Sequence, residues 1–241
     1  MVFRMAARRI GIILSIVQEH AMSVPPESPV SPITALLLIA PGCPHCAGML
    51  EGLGALVKEG RLARLEVVNI AVEPAVAQKL GVRSVPWACI GDFHLPGLHT
   101  LGQLRHWTEM AGHVDGMTAY LADLLATARR QEVLERVRRD PALLLRLVDL
   151  LGNPDTALSV RIGIMATLEE FEGSGQLETL VEPLNPHACH VDARVRADAC
   201  HALTLTGSAR ALPALQACID DPDPEVRETA ADGIELLGRA V

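Results

Sequence analysis

The first chemically informative feature is the sequence Cys43-Pro44-His45-Cys46, which follows an apolar run and opens a helical pattern. The thiolate is the reactive form of cysteine, and a helix N-terminus lowers a thiol's pKa through its unpaired N–H groups and partial positive charge. Cys43 is therefore the expected nucleophile. Cys46 lies one helical turn further on, within disulfide distance, and is expected to attack a mixed disulfide and release the product. Pro44 is expected at the first helical position, where it costs no hydrogen bond, and His45 is expected to favour the thiolate.

The same pair of cysteines has two other interpretations, half of a zinc site and an inert pair. Zinc normally takes four ligands, typically with a second Cys or His pair at similar spacing. The chain has no other Cys-x-x-Cys, and its remaining cysteines are scattered: Cys89, Cys189, Cys200 and Cys218. The pattern favours redox chemistry with no bound metal or organic cofactor. Because no Gly-rich dinucleotide fingerprint is present, a redox-active disulfide would need an external electron donor or acceptor.

The elements that must position this pair alternate between strand and helix patterns. A continuous apolar run of strand length precedes Cys43 and indicates a buried strand. A helical pattern follows this strand. A second strand and a second helix come next, and then a hairpin of two strands and a last helix. The predicted strands are 33–40, 64–70, 87–90 and 93–95, and the predicted helices are 44–58, 74–80 and 101–111. The order β-α-β-α-β-β-α predicts an α/β sandwich with a mixed sheet.

A second motif, Ser84-Val85-Pro86-Trp87, lies just before the third predicted strand. A proline that begins a strand, after a helix that ends at a glycine, suits a cis peptide bond. An ordinary turn proline is the alternative interpretation.

Together these features resemble the thioredoxin superfamily over residues 33–112. The strand, Cys-x-x-Cys and helix match, as do Pro86 at the start of an antiparallel strand and Leu95-Pro96-Gly97 at the end of the hairpin. In that family the cis-proline loop packs opposite the active cysteines and binds the extended backbone of the substrate. The resemblance therefore implies that Val85, Pro86 and Trp87 help to form a substrate groove, and that the substrates are protein thiols and disulfides.

The chain departs from the thioredoxin pattern at three positions. The family's buried aspartate falls on Leu37, its flanking aromatic residue is replaced by Pro41-Gly42, and the lysine that often follows the motif is Ala47. Cys-Pro-His-Cys is the variant of DsbA-like oxidants, with potentials of about −120 mV against about −270 mV for thioredoxin. No inserted helical domain of the DsbA kind interrupts the pattern. The direction of electron flow therefore stays open.

Helical patterns follow one another from about Val114 onward, and the dipeptide Val-Arg recurs within them. Three of its occurrences begin at Val160, Val195 and Val226, which are spaced 35 and 31 residues apart. An asparagine or aspartate in each preceding turn, Asn153 in the first, is expected to cap the helix, and a later glycine to end it: Gly173, Gly207 and Gly238. The pattern resembles short bacterial HEAT repeats over 140–241, which implies a helical solenoid that binds a protein partner. Chance self-similarity of helices is the alternative.

Other cysteine, histidine and acidic groups receive structural interpretations. A sequence cluster resembles a metal site: His187, Cys189, His190, Cys200 and His201. Cys200 falls on an apolar position of the repeat, so we predict that it packs in the core and that the others lie in a solvated loop. Cys89 is expected to be a buried structural thiol. The acidic run at 220–223 is expected to be a capping turn, so no metal site is predicted.

The composition is that of a soluble globular protein. Hydrophobic residues make up 49% of the 241 residues and charged residues 21%, which suits core formation. The net charge of −8 and an aromatic content of 2% argue against a nucleic-acid partner. No apolar run approaches the ~20 residues that cross a membrane, so no membrane partner is predicted.

The chain divides into four predicted segments: an N-terminal extension with a Pro-rich linker (1–32), an α/β thioredoxin-like domain (33–113), a connecting helical segment (114–139) and an all-α HEAT-like solenoid (140–241). Arg4, Arg8 and Arg9 precede a short apolar run, which loosely resembles a signal peptide with a poor cleavage site. We expect a cytoplasmic protein, with export to the periplasm as the alternative if residues 1–22 act as a signal.

Two functions fit these patterns. The first is a thiol–disulfide oxidoreductase in which Cys43 attacks, Cys46 resolves, and the repeats recruit a protein partner. The alternative is a non-enzymatic HEAT-repeat adaptor that carries a thioredoxin-like binding or redox-sensing module. Two intact cysteines favour the first, because a purely structural module has no need for both.

Overall fold

The structure is a computed structural model that describes residues 32–239. The N-terminal extension, with the three arginines of the possible signal, lies outside the described residues. Four strands form one mixed sheet in the order β2-β1-β3-β4. Their bounds are β1 (Thr34–Ile39), β2 (Arg64–Asn69), β3 (Trp87–Ile90) and β4 (Phe93–Pro96). Strand β1 runs parallel to β2 and antiparallel to β3, and β4 is antiparallel to β3. The predicted mixed sheet is confirmed.

Helices cover both faces of this sheet, which explains the continuous apolar run of β1. Leu37 and Leu38 point to opposite faces, and both are fully buried. On one face Leu37 joins a core with α1 (Cys46–Lys58) and α3 (Leu101–Ala111). On the other face Leu38 packs in a small cluster with α2 (Pro74–Leu80). The predicted element order is confirmed, and most predicted bounds lie within two residues of the observed ones.

Helices alone follow the sheet, as predicted. They are α4 (Gly116–Ala126), α5 (Arg130–Arg139), α6 (Leu143–Gly152), α7 (Leu158–Glu169), α8 (Val181–Leu184), α9 (Ala193–Leu205), α10 (Leu212–Ala217) and α11 (Pro224–Arg239). Short 3₁₀ turns occur at Gln176–Leu180, His187–Cys189 and Ala209–Ala211. Within residues 32–239, no helix combines the length and the apolar character needed to cross a bilayer.

One hydrophobic core continues from the sheet into these helices. Tyr120 of α4 forms the join, because its ring stacks on Phe93 of β4 at 4.7 Å between centroids. Its hydroxyl accepts a hydrogen bond from the His94 N–H at 2.9 Å and donates one to the His94 carbonyl at 3.0 Å. Gly116 begins α4 so close to the Met110 carbonyl that a Cβ there would lie 1.8 Å from its oxygen. The sheet and the helical region are therefore packed directly against each other.

The repeated Val-Arg dipeptide has a physical explanation in the structure. The side chain of Arg161 is only 5% exposed and donates to the carbonyls of Leu151 and Asn153, both at 3.0 Å. It also pairs with Asp198 of α9 at 2.6 Å. The arginine thus satisfies the carbonyls at the end of one helix and ties that turn to the next repeat. The valine beside it, Val160, is buried in the core.

The second repeat uses its arginine in the same way. Arg196 donates to the carbonyls of His190 and Val191 and makes a bidentate pair with Asp221, both contacts at 2.7 Å. In the last repeat the hydrogen bonds of Arg227 to other described residues run to the Asp221 and Pro222 carbonyls of the preceding turn. Arginine suits this position because its planar fork binds a carboxylate and carbonyls at once. All three arginines therefore bond to carbonyls of the preceding turn. The first two also pair with a carboxylate of the following repeat.

Three details of the repeat prediction are wrong. Gly173 does not end α7, because that helix ends at Glu169 with Glu170 as its C-cap. Gly238 does not end its helix, because α11 continues to Arg239. Asn153 does not cap α7, since it follows the end of α6 and accepts a hydrogen bond from the Asp155 N–H. The other two helices are capped as predicted: Asp192 accepts from the Arg194 N–H, and Asp223 accepts from the Glu225 N–H.

The Arg196–Asp221 pair predicts a dependence of stability on pH. Hydrogen bonds from Arg196 hold the pKa of Asp221 below its ordinary value. Asp221 therefore binds its proton more tightly in the unfolded state than in the folded state. The ion pair stabilises the fold fully above the unfolded pKa of about 4. This stabilisation is lost as the pH falls through the lower pKa of the folded state. We expect the free energy of unfolding to exceed that of Asp221→Asn by a constant amount above about pH 5 and by less below about pH 4. Urea unfolding followed by circular dichroism measures this, and a difference independent of pH would contradict it.

Candidate dithiol site

The two cysteines of the first motif are joined in the structure by a disulfide bond. The sulfurs of Cys43 and Cys46 are 2.09 Å apart, and their Cα atoms are separated by 5.5 Å. A tight turn at Pro41-Gly42 carries the chain from β1 to the pair, and Gly42 has a φ of +76°, which a residue without Cβ adopts readily. The end of the central strand β1 therefore fixes the position of the pair.

The two cysteine residues differ in their exposure to solvent. Cys43 is half-buried, whereas Cys46 is only 6% exposed. His45 lies between them in sequence and is exposed. Cys43 is therefore the more exposed of the two residues, and Cys46 is the more shielded. The roles of attacking and resolving cysteine stay predictions.

Helix α1 begins later than the sequence indicates. Its first residue is Cys46 and its N-cap is His45, so Pro44 lies in the preceding turn and not at the first helical position. The first helical hydrogen bond runs from the Met49 N–H to the His45 carbonyl. The backbone N–H groups of residues 46–48 precede this bond and thus lie at the N-terminus of the helix, beside the disulfide. No acidic residue occupies the first turn. This end of the helix carries partial positive charge, which favours a thiolate there.

The second motif lies beside the first. The Val85–Pro86 peptide bond is cis, as predicted. Strand β3 pairs with β1 so that Trp87 stands opposite Leu38, near the end of β1 from which the cysteines follow. The Gly97 N–H donates to the Pro86 carbonyl at 2.8 Å, which joins this loop to the end of the hairpin. The fold thus brings residues 84–87, at the start of β3, and the cysteine pair, after the end of β1, to the same end of these two central strands.

Trp87 lies beneath this loop. It is 7% exposed, packs in the small cluster with Leu38, and its ring lies 5.1 Å from that of His94. Its indole therefore supports the loop by packing. Val85 is half-buried against the same cluster.

Sequence reasoning missed the loop that follows β4. Leu98 is 54% exposed and lies against Gly48 of α1, since a Cβ on Gly48 would be 3.7 Å from a Leu98 methyl carbon. The next residue, His99, donates its backbone N–H to the sulfur of Met49 at 3.2 Å. Leu98 therefore adds an exposed apolar side chain against α1, at a residue only two positions after Cys46. No local pattern distinguishes it, because its position depends on how the loop packs on α1.

The remaining cysteines divide into one exposed and three protected thiols. Cys89 is half-buried, and burial raises its pKa to about 11. Cys200 and Cys218 are buried in the repeat core, and burial raises the pKa of each. The core position predicted for Cys200 is confirmed. Because a protonated thiol is a weak nucleophile, these three are unsuited to exchange at neutral pH, whereas Cys189 is exposed.

The sequence cluster that resembles a metal site is not gathered in space. Within the part of the chain that the structure describes, no three His, Cys, Asp or Glu side chains are placed to hold a metal ion. His187 was predicted in a solvated loop, but its ring packs against Gly152 and is half-buried. The Nδ1 of His190 accepts a hydrogen bond from the Asp192 N–H.

Comparison with known families identifies part of the helical region. The family model of HEAT repeats matches residues 187–240, well under half of the chain. This segment contains the last two Val-Arg dipeptides, and the described helices before it continue the same arginine contacts. The search of curated proteins found no significant match to the chain. The predicted repeats are therefore confirmed as HEAT repeats over this segment, and the match does not reach the sheet.

Proposed function

We propose that this chain is a thiol–disulfide oxidoreductase of the thioredoxin-like kind, whose HEAT repeats bind a protein partner. The observation that carries the proposal is the pair of cysteines at the mouth of α1, one accessible and one shielded. The four-stranded mixed sheet and its element order are compatible with a thioredoxin-like fold. The cis-proline loop beside the pair supports the same assignment.

The proposed reaction has two exchange steps. The Cys43 thiolate attacks one sulfur of a substrate disulfide, forms a mixed disulfide and releases the other substrate sulfur as a thiolate. The Cys46 thiolate then attacks the sulfur of Cys43 and releases the second substrate thiolate. Two electrons pass to the substrate, which takes up two protons, and Cys43 and Cys46 are left joined in a disulfide. An external dithiol then reduces this disulfide to the two thiols and is itself oxidised to a disulfide. The same steps run in reverse oxidise a substrate dithiol.

Several residues have supporting roles in this proposal. His45 is exposed beside the sulfurs and is proposed to favour the thiolate as a nearby N–H donor. Half-buried Val85 and the backbone at the buried Pro86 are proposed to bind the extended backbone of the substrate, and the buried Trp87 to support this loop by packing. Exposed Leu98, which lies against Gly48 of α1, is proposed to add an apolar contact near the pair.

The alternative is a HEAT-repeat adaptor whose cysteine pair senses redox state without catalytic turnover. The match to HEAT repeats favours its adaptor part directly, and it carries no information about thiol chemistry. The two functions therefore differ in whether the cysteine pair turns over catalytically. We favour catalytic turnover because Cys43 is the more exposed cysteine, as the attacking residue must be, and Cys46 is shielded, as suits the resolving residue.

Insulin reduction with dithiothreitol as the electron donor tests the proposal. We expect the full chain to accelerate precipitation of the reduced insulin B chain, and Cys43→Ser to remove the acceleration. Cys89→Ser is the matched control, because that thiol lies in the same sheet but has a raised pKa, and it should leave the rate unchanged. Equal rates for the wild type and Cys43→Ser would overturn the enzymatic proposal and favour the adaptor.

A further inference from the structure

A groove on the HEAT region combines exposed apolar and unpaired acidic side chains. It consists of two adjoining hollows of about 470 and 500 Å³ across the helices α7, α9 and α11, and Glu169 lines both of them. Three large apolar residues line it and stay open to solvent: Leu158 at 72%, Ile162 at 60% and Leu236 at 56% exposure. Binding sites are commonly concave and lined by apolar side chains with a few polar groups, and this groove has both.

The charges in this groove are mainly negative. The two arginines on its walls already have carboxylate partners: Arg161 pairs with Asp198, which lines the same groove, and Arg194 pairs with Asp192. Four carboxylates on its walls form no ion pair among the described residues: Glu169, Glu172, Glu225 and Asp232. The groove therefore presents apolar contacts within an uncompensated negative field, which attracts cationic side chains and repels nucleic acids and anionic membranes.

We propose that this groove binds a cationic amphipathic helix supplied by another protein. Neighbouring packed helices lie about 10 Å apart, so three of them span about 20 Å, the length of about 13 residues of helix. A partner helix of that length would place apolar side chains on Ile162 and Leu236 and Lys or Arg side chains beside the carboxylates. This inference rests on the proposed partner-binding role of the repeats and does not require redox turnover.

Binding of defined peptides to the full chain tests the inference by fluorescence anisotropy. The probe is a labelled 14-residue peptide of Leu and Lys at amphipathic helical spacing, and its control replaces every Lys with Glu. We expect the Lys peptide to bind and the Glu peptide not to bind. Neutralising the four groove carboxylates to Gln or Asn should weaken binding by about tenfold or more, and Ile162→Ser should weaken it several-fold.

A matched control variant distinguishes a groove from diffuse attraction. It neutralises four exposed carboxylates outside the groove that form no ion pair among the described residues: Glu51, Glu66, Glu135 and Glu178. We expect its affinity to stay within about twofold of the wild type. Equal weakening in the two variants would overturn the inference, because attraction would then follow net charge alone. Circular dichroism verifies that each variant is folded.

Two further results would assign the groove to another occupant and so overturn the inference. If Arg4→Glu, Arg8→Glu and Arg9→Glu together raise peptide affinity tenfold, the chain's own N-terminal segment occupies the groove. If sedimentation finds a dimer of the wild type that Ile162→Ser dissociates, a second copy occupies it. Insulin reduction by the same preparations separates the two proposals, since lost peptide binding with intact turnover refutes only this inference.

Discussion

A Cys46→Ser variant is expected to accumulate as a covalent complex with insulin through Cys43. The half-buried Cys43 can still attack a substrate disulfide, but the shielded thiol that would release the product is absent. Release of the complex should therefore slow by about 100-fold or more relative to the wild type. Non-reducing gel electrophoresis followed by mass spectrometry of the cross-linked peptide measures the amount of complex and identifies its sulfur.

Two matched variants make this result specific. Cys43→Ser should form no complex, because Cys46 is only 6% exposed. The double variant Cys46→Ser with Cys89→Ser should trap as much insulin as Cys46→Ser alone, since burial raises the pKa of Cys89 to about 11. A cross-link that forms through Cys46 or Cys89 at the rate of Cys43 would refute the assigned roles.

An Arg161→Ala variant is expected to lose about 3 kcal/mol of folding stability. The guanidinium is buried, pairs with Asp198 at 2.6 Å, and satisfies the carbonyls of Leu151 and Asn153. Alanine would leave both carbonyls and the carboxylate without these partners, and would leave a cavity between two repeats. Urea unfolding followed by circular dichroism at 222 nm measures the loss.

Arg227→Ala is the matched control for this prediction. Arg227 occupies the same position of its repeat, but its hydrogen bonds to other described residues run to carbonyls of the preceding turn and are exposed to solvent. We expect its loss to cost under about 1 kcal/mol. Equal destabilisation by the two substitutions would contradict the view that contacts between repeats make Arg161 important.

The features that the sequence predicts well are those with local causes. Strand β1 could be predicted from the sequence because both of its faces are buried, which requires an unbroken apolar run before Pro41. The cysteine pair could be predicted from its spacing at the start of a helix, and the cis proline from the backbone restriction that proline imposes. The Val-Arg repeat is readable as a pattern, although its reason, the contact from Arg161 to Asp198, is visible only in the structure.

The features that the sequence does not predict depend on packing between distant segments. The join at Tyr120 requires its hydroxyl to meet the backbone of His94, and the apolar contact near the cysteines requires Leu98 to fold back on α1. Neither residue belongs to a local motif. The errors at Gly238 and Asn153 have a similar origin, because a glycine or asparagine permits a helix boundary without requiring one.

A redox titration of the Cys43–Cys46 pair tests the central claim most directly. The full chain is equilibrated in thiol–disulfide buffers of stepped potential, and mass spectrometry measures alkylation at each cysteine. The proposed function predicts that both sulfurs become alkylated together in a reversible two-electron transition with a midpoint between about −270 and −120 mV. A pair that stays joined below about −300 mV, or sulfurs that titrate independently, would contradict it.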